Sequence, residues 1–373
     1  MPRFTAPSRA RFLVLVALLI PLAGLGLAVA TQGVLPSPNS GPGLPVTHWV
    51  DGPNLDTPRD DFGAAVVGGR VYVLGGLTGD RGNRLDSVEI LDPAAGRWTA
   101  GPTMPEGRAS LRAAAIGTTI YAIGGSTDTQ SVSNIVEALD TTTGRWAARA
   151  PMPTPRFGLG VAALGGKIYA IGGYRDGVGV NAVEVYDPAT DRWSTAAPMP
   201  TPRYNLAAVV LGGKIFALGG WVNDAASTVV EIYDPATDRW TAGPAMLAPM
   251  SNFGAAVLDG RIHALLHTNH IVYDPAINGW VGDTPMPTTR HGEGVATVGD
   301  TLYAIGGCYQ EPQYDLPITE ALVPGPIPDN PPPPGSRSRG GIIALALGIS
   351  STLILVVVVT RTAKRPRHSR DEE

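Results

Sequence analysis

The sequence predicts an all-β chain in which one four-stranded unit is written six times and the copies close into a ring. Two observations predict it: a recurring glycine doublet, and a tryptophan that recurs with a similar period. The doublets are Gly75-Gly76, Gly124-Gly125, Gly172-Gly173, Gly219-Gly220 and Gly306-Gly307, with Leu266-His267 in the place of a degenerate fifth copy. The tryptophans are Trp98, Trp146, Trp193, Trp240 and Trp280. Spacings of 47 to 49 residues, falling to 40 around the fifth copy, are too short for separate domains and suit one supersecondary unit each.

The third copy shows the unit most clearly. Pro155-Arg156 leads into the apolar run Leu159 to Leu164, which turns at Gly165-Gly166 into Lys167-Ile168-Tyr169-Ala170-Ile171-Gly172-Gly173. A variable loop then leads to Val183-Glu184-Val185-Tyr186-Asp187-Pro188 and to the run holding Trp193. These are four strand-like runs, and the Gly, Pro and Asp between them are what antiparallel connections require. Closure is also legible. The sixth copy stops at Pro324 with three runs, and the missing fourth lies at the other end, where Trp49-Val50-Asp51-Gly52-Pro53 mirrors Trp98-Thr99-Ala100-Gly101-Pro102. The N-terminal strand is therefore expected to complete the last unit.

The doublet, the Tyr169-type position, the Tyr186-Asp187-Pro188 turn and the Trp193-type position together resemble the kelch repeats, over residues 46–324. That resemblance implies a six-bladed kelch-type β-propeller, with no long sheet edge left bare.

Outside residues 46–324 the chain changes character. Met1 to Ala30 carries Arg3, Arg9 and Arg11, then the apolar run Phe12 to Leu27, then Ala28-Val29-Ala30; this is the layout of a secretory signal peptide. Its apolar run is long for a signal, so an uncleaved N-terminal anchor is the rival reading. Residues 31–45 form a Pro/Gly-rich spacer, and residues 325–339 a stalk containing Pro331-Pro332-Pro333-Pro334. Residues 340–360 hold no charge over 21 positions, enough for one membrane-spanning helix, and the tail 361–373 is basic (Arg361, Lys364, Arg365, Arg367, Arg370). The positive-inside rule puts this tail in the cytoplasm and the propeller outside the cell membrane. The Gly, Ala and Pro content has a bacterial look.

Composition excludes several classes. With 16% charged residues and a net charge of −4, no basic face points to nucleic acid. The single cysteine, Cys308, cannot form an internal disulfide. Of the six histidines only His263, His267 and His270 cluster; strand alternation puts His263 and His267 on one face, but with no nearby cysteine or carboxylate no metal site is expected. No nucleophile elbow and no phosphate-binding glycine loop is present, and no cofactor is expected.

Two charges repeat with the unit. Sixteen positions before each first doublet glycine stand Arg59, Arg108, Arg156, Arg203 and Arg290, and two before the Tyr186-type position stand Glu89, Glu137, Glu184, Glu231 and Glu320. The fifth copy has Met250, Leu266 and Ile271 instead, so arginine, glycine and glutamate vanish together. Antiparallel pairing brings all three to the same end of a blade, which predicts structural, partly buried Arg–Glu pairs crossing the glycines.

A ligand site is better sought where one copy departs from the rest. Asp60, Asp61, Arg112, His291 and Glu293 do so just after the arginine position, in neighbouring copies six, one and two. They form the candidate patch at the central opening, with Tyr174 and Trp221, each directly after a doublet, as further stacking surfaces. The preferred expectation is a binding module for a protein or glycan. The runner-up is an exported carbohydrate-acting enzyme of the sugar-acid epimerase or mutarotase kind, an analogy drawn from other kelch proteins, with Glu293, Asp60 or Asp61 as acid/base and Arg112 holding an anion. The third is a structural element of the cell envelope.

Overall fold

The computed structural model describes residues 44–79, 82–309 and 314–325, and every regular element in them is a β-strand. The expected signal or anchor segment, the stalk beyond Gly325, the membrane span and the basic tail lie outside these residues. No helix among the described residues is long and apolar enough to cross a membrane.

Six four-stranded antiparallel sheets make the propeller. The first blade runs Gly63–Val67, Arg70–Leu74, Val88–Asp92 and Arg97–Ala100. Its second strand is buried from Val71 to Leu74 because flanking blades cover both faces, whereas the first strand alternates buried and half-buried positions as one face turns to the axis. The six first strands touch one another in sequence around that axis, and Gly294–Val298 of the last blade meets Gly63–Val67 of the first. The last blade takes its fourth strand from Thr47–Asp51, which pairs antiparallel with Thr319–Pro324, Trp49 opposite Leu322. The expected closure by the N-terminal strand is what the sheet order shows.

Three closed circuits of hydrogen bonds join the blades. The outermost is made by tryptophan: Trp98, Trp146, Trp193, Trp240 and Trp280 donate Nε1–H to the carbonyls of Pro53, Pro102, Ala150, Ala197 and Pro244 in the preceding blade, at 2.8–3.0 Å. Trp49 completes the circuit by donating to Thr284 at 3.0 Å, so the closing strand is held by the bond that holds every other seam.

The second circuit explains the doublet. The N–H of its second residue donates to the carbonyl of the next blade's arginine position: Gly76 to Arg108, Gly125 to Arg156, Gly173 to Arg203, Gly220 to Met250, His267 to Arg290 and Gly307 to Arg59. The backbones approach so closely that a Cβ on Gly75, Gly124, Gly172 or Gly306 would lie 2.5–2.7 Å from that carbonyl oxygen, and each glycine also has positive φ.

The third circuit is a collar at one mouth of the channel. Two residues after each arginine position the chain enters the left-handed region: Asp61 (φ 50°), Ser110 (51°), Gly158 (59°), Asn205 (52°), Asn252 (52°) and Gly292 (66°). Each donates its N–H to the preceding blade's collar carbonyl, from Asp61 to Gly292, then Asn252, Asn205, Gly158, Ser110 and back to Asp61, at 2.6–3.1 Å. Asp, Asn, Ser and Gly recur there because these residues carry a left-handed turn at least cost.

Candidate functional site: the collar face and its channel

The repeated charges are part of the scaffold. Arg59–Glu89, Arg108–Glu137, Arg156–Glu184, Arg203–Glu231 and Arg290–Glu320 form ion pairs of 2.6–2.9 Å, with every arginine side chain inaccessible to solvent. Each guanidinium also donates to carbonyls around the doublet; Arg59 Nη1–H, for example, reaches Gly75 at 2.9 Å and Ser87 at 3.1 Å. Burial lowers the arginine pKa values against the opposing pull of the glutamates, Arg203 to about 10. In the fifth blade Met250, Leu266 and Ile271 share one buried apolar cluster.

A third member of this network was missed in the sequence. Two residues before the arginine, Thr154, Thr201 and Thr288 donate Oγ1–H to Glu184, Glu231 and Glu320 at 2.6–2.7 Å, while Thr57 and Asp56 offer backbone N–H to Glu89. The second blade has Glu106 there, and its charge, after burial, helps push the Glu137 carboxyl upward. Glu106→Thr is therefore expected to stabilise the protein by about 0.5–1.5 kcal/mol, one hydrogen bond gained and one like-charge contact removed; urea denaturation measures it.

Of the irregular residues, three meet in the channel. Asp61, Arg112 and Glu293 line a cavity of about 170 Å³ whose remaining walls are mostly small, including Ala64, Gly160, Gly254 and Gly294. Asp60 and His291 do not line it. Asp60 is buried on a backbone bridge to Leu77, and His291 lies on a bridge to Cys308, with Nε2 3.2 Å from Sγ. Cys308 itself is fully buried.

Glu293 occupies the position that Phe62, Leu111, Leu159, Leu206 and Phe253 fill elsewhere. Its Oε1 accepts from the N–H of Gly254 at 3.3 Å, but Oε2 is buried with no hydrogen-bond partner among the described residues. Burial pushes its pKa up to about 8, and the charge of Asp61 adds to the rise, so Glu293 is a neutral acid at pH 7. Arg112 stands where the other blades have Gly or Ala. It donates to the carbonyl of Leu111 at 3.0 Å and has no ion-pair partner within 4 Å among the described residues. Burial lowers its pKa while Asp61 opposes the change. The channel thus presents one cation, one carboxylate and one neutral carboxylic acid, a set that suits a small polar or anionic group.

Beside the collar on blades three and four runs an aromatic strip. Phe157 meets Tyr174 at 5.1 Å between ring centroids, Tyr174 meets Tyr204 at 4.8 Å, and Tyr204 stacks on Trp221 at 6.5 Å. All four rings are half-buried, so each keeps a solvent-facing part. Tyr174 and Trp221 start short hairpins, Tyr174–Arg175 with Val178–Gly179 and Trp221–Val222 with Ala225–Ala226, that rise between second and third strands. Phe157 and Tyr204 were missed; each directly follows a repeated arginine, as Tyr174 and Trp221 follow a doublet.

The three circuits and the buried ion pairs define a closed β-propeller. Residues 61–265, just over half of the chain, match the KLHDC2/KLHL20/DRC7 Kelch-repeats domain. The chain belongs to this Kelch-repeat family, whose propellers generally mediate protein interactions. No curated protein matches it.

Proposed function

We propose that this chain is a membrane-tethered binding module that displays its propeller outside the cell and docks a protein partner on the collar face. The observation that carries the reading is the strip of Phe157, Tyr174, Tyr204 and Trp221. Half-exposed aromatics in mutual contact offer apolar area already fixed in place, which is the composition of interface cores. The adjoining channel, with Arg112 and Asp61, supplies polar anchoring for a side chain or chain end entering from that face. Support for the tether is the charge-free stretch 340–360 followed by five basic residues, and for the outward orientation the arginines that precede the N-terminal apolar run.

Glu293 favours one second reading, a site for a sugar acid, because a neutral carboxylic acid and an arginine share the channel. Thermal-shift screening of the full chain against glycans and sugar acids separates the two. A sugar-acid site predicts a ligand whose stabilisation is lost in Arg112→Ala and kept in Trp221→Ala. The docking reading predicts no such ligand, and a partner whose binding weakens at least tenfold in Trp221→Ala.

A further inference from the structure

The fifth blade holds a cluster that the repeat and the binding face leave unexplained. His263, His270 and Asp283 are all buried, and one ligand atom of each lies within 4.8 Å of the others. The second and third strands of this blade, Arg261–Leu266 and Asn269–Asp274, are joined by a turn at His267-Thr268. Their register sets Leu265 opposite His270 and His263 opposite Val272, so the two histidines are diagonal neighbours on one face. Asp283 follows the fourth strand, Gly279–Gly282, and its N–H donates to the His270 carbonyl.

We propose that His263, His270 and Asp283 bind one divalent transition-metal ion of the zinc class, beneath the strand that closes the ring. Two imidazoles and a carboxylate are a zinc donor set. The orientation of His270 is that of a metal ligand: its Nδ1–H donates to the Thr284 carbonyl at 3.0 Å, which leaves the Nε2 lone pair facing the cluster. Nε2 lies 2.8 Å from His263 Nδ1 and 4.0 Å from Asp283 Oδ2. Two metal–nitrogen bonds of about 2.0–2.1 Å at a tetrahedral angle set the nitrogens about 3.3 Å apart, so the imidazoles separate by roughly half an ångström on loading. The cation replaces the proton shared between the rings, and His263 accommodates it by carrying its proton on Nε2.

Two observations favour a cation over a merely hydrogen-bonded triad. First, Asp283 is buried and has no Lys or Arg within 4 Å among the described residues, and a buried carboxylate is ordinarily paired or metal-bound. Second, the three residues depart from the repeat together. Their counterparts are an aromatic (Tyr169, Phe216) and a valine (Val183, Val230) in blades three and four, and a glycine (Gly101, Gly243) in blades one and four, none of them a histidine or a carboxylate. The edge of Trp49 lies over His270, 5.9 Å between centroids, and both donate to the Thr284 carbonyl. A metal here fixes the acceptor of the last tryptophan staple and so secures the seam that closes the propeller.

The test compares the full-length wild type with a triple variant, His263→Tyr, His270→Val and Asp283→Gly, that restores the residues other blades use and is therefore built to fold. With Zn2+ and Co2+ alone as probes, the wild type is expected to bind one more equivalent than the triple variant. Its Co2+ form should show tetrahedral visible absorption, and its Tm should rise by several degrees with Zn2+. Asp283→Asn, which keeps the shape of the side chain, should weaken binding at least tenfold. Equal stoichiometry in the wild type and the triple variant, or undiminished affinity in Asp283→Asn, overturns the proposal.

Discussion

Arg156→Met is expected to destabilise the propeller by about 3–5 kcal/mol, and Arg156→Met combined with Glu184→Ile by much less. The single change strands the Glu184 carboxylate, whose side chain is 4% exposed and whose partner lies 2.8 Å away, with only Thr154 left to bond it. Removing both charges removes the stranded group, and the fifth blade shows that apolar side chains fill this space. Replacing a buried pair by well-packed apolar residues is often neutral, so the net value of the pair itself is small. Denaturant unfolding of wild type, both single variants and the double variant measures the cycle. A double variant as unstable as Arg156→Met or worse shows that the arginine is held by the carbonyls around the doublet, including Ala170 at 3.0 Å, rather than by Glu184.

Glu293 gives the second large effect, and it depends on pH. Its folded pKa, about 8, lies above the unfolded value near 4.3, so its contribution is fully present at acid pH and lost as pH rises toward 8. Across that window the wild type is expected to lose up to about 1.4 kcal/mol per pH unit relative to Glu293→Leu, which carries the leucine of Leu159 and Leu206 and has no titrating group. At pH 8 the variant should be the more stable protein; near pH 4 the difference should shrink to what the hydrogen bond to Gly254 and side-chain packing supply. Parallel stability profiles from pH 4 to 9 contradict this, and place the Glu293 carboxyl in contact with water.

How much of this was legible in the sequence follows from what each feature repeats. The blades, the tryptophans and the Arg–Glu positions recur as side-chain identities, so one chain compared with itself exposes them. The tryptophan staples end on backbone carbonyls and the collar is bonded through the backbone throughout, so no single residue type is obligatory at their acceptors. The collar left only a faint trace, the Asp, Ser, Gly, Asn, Asn, Gly series two residues after the arginine position. The patch at the channel mouth was half legible: position in the repeat gave the blade but not the direction of the side chain, so Asp60 and His291 were grouped with Asp61, Arg112 and Glu293, the three of the five that line the cavity. At the fifth blade, strand alternation suggested His263 with His267. The tight turn at His267-Thr268 reverses the chain there, so the near neighbour of His263 is His270, and the carboxylate arrives from Asp283 thirteen residues later.

The proposed docking face is tested most directly by site-specific photo-crosslinking in intact cells. A photoreactive residue is placed at Trp221 or Tyr174 on the aromatic strip, and at Thr195 on the exposed fourth strand of the third blade as a control. A discrete crosslinked protein from positions 221 and 174, absent from 195 and lost when Tyr204→Ala is added, is the expected result. The same product from position 195, or products from 195 alone, contradicts a partner docked on the collar face and moves the interaction to the rim of the disc.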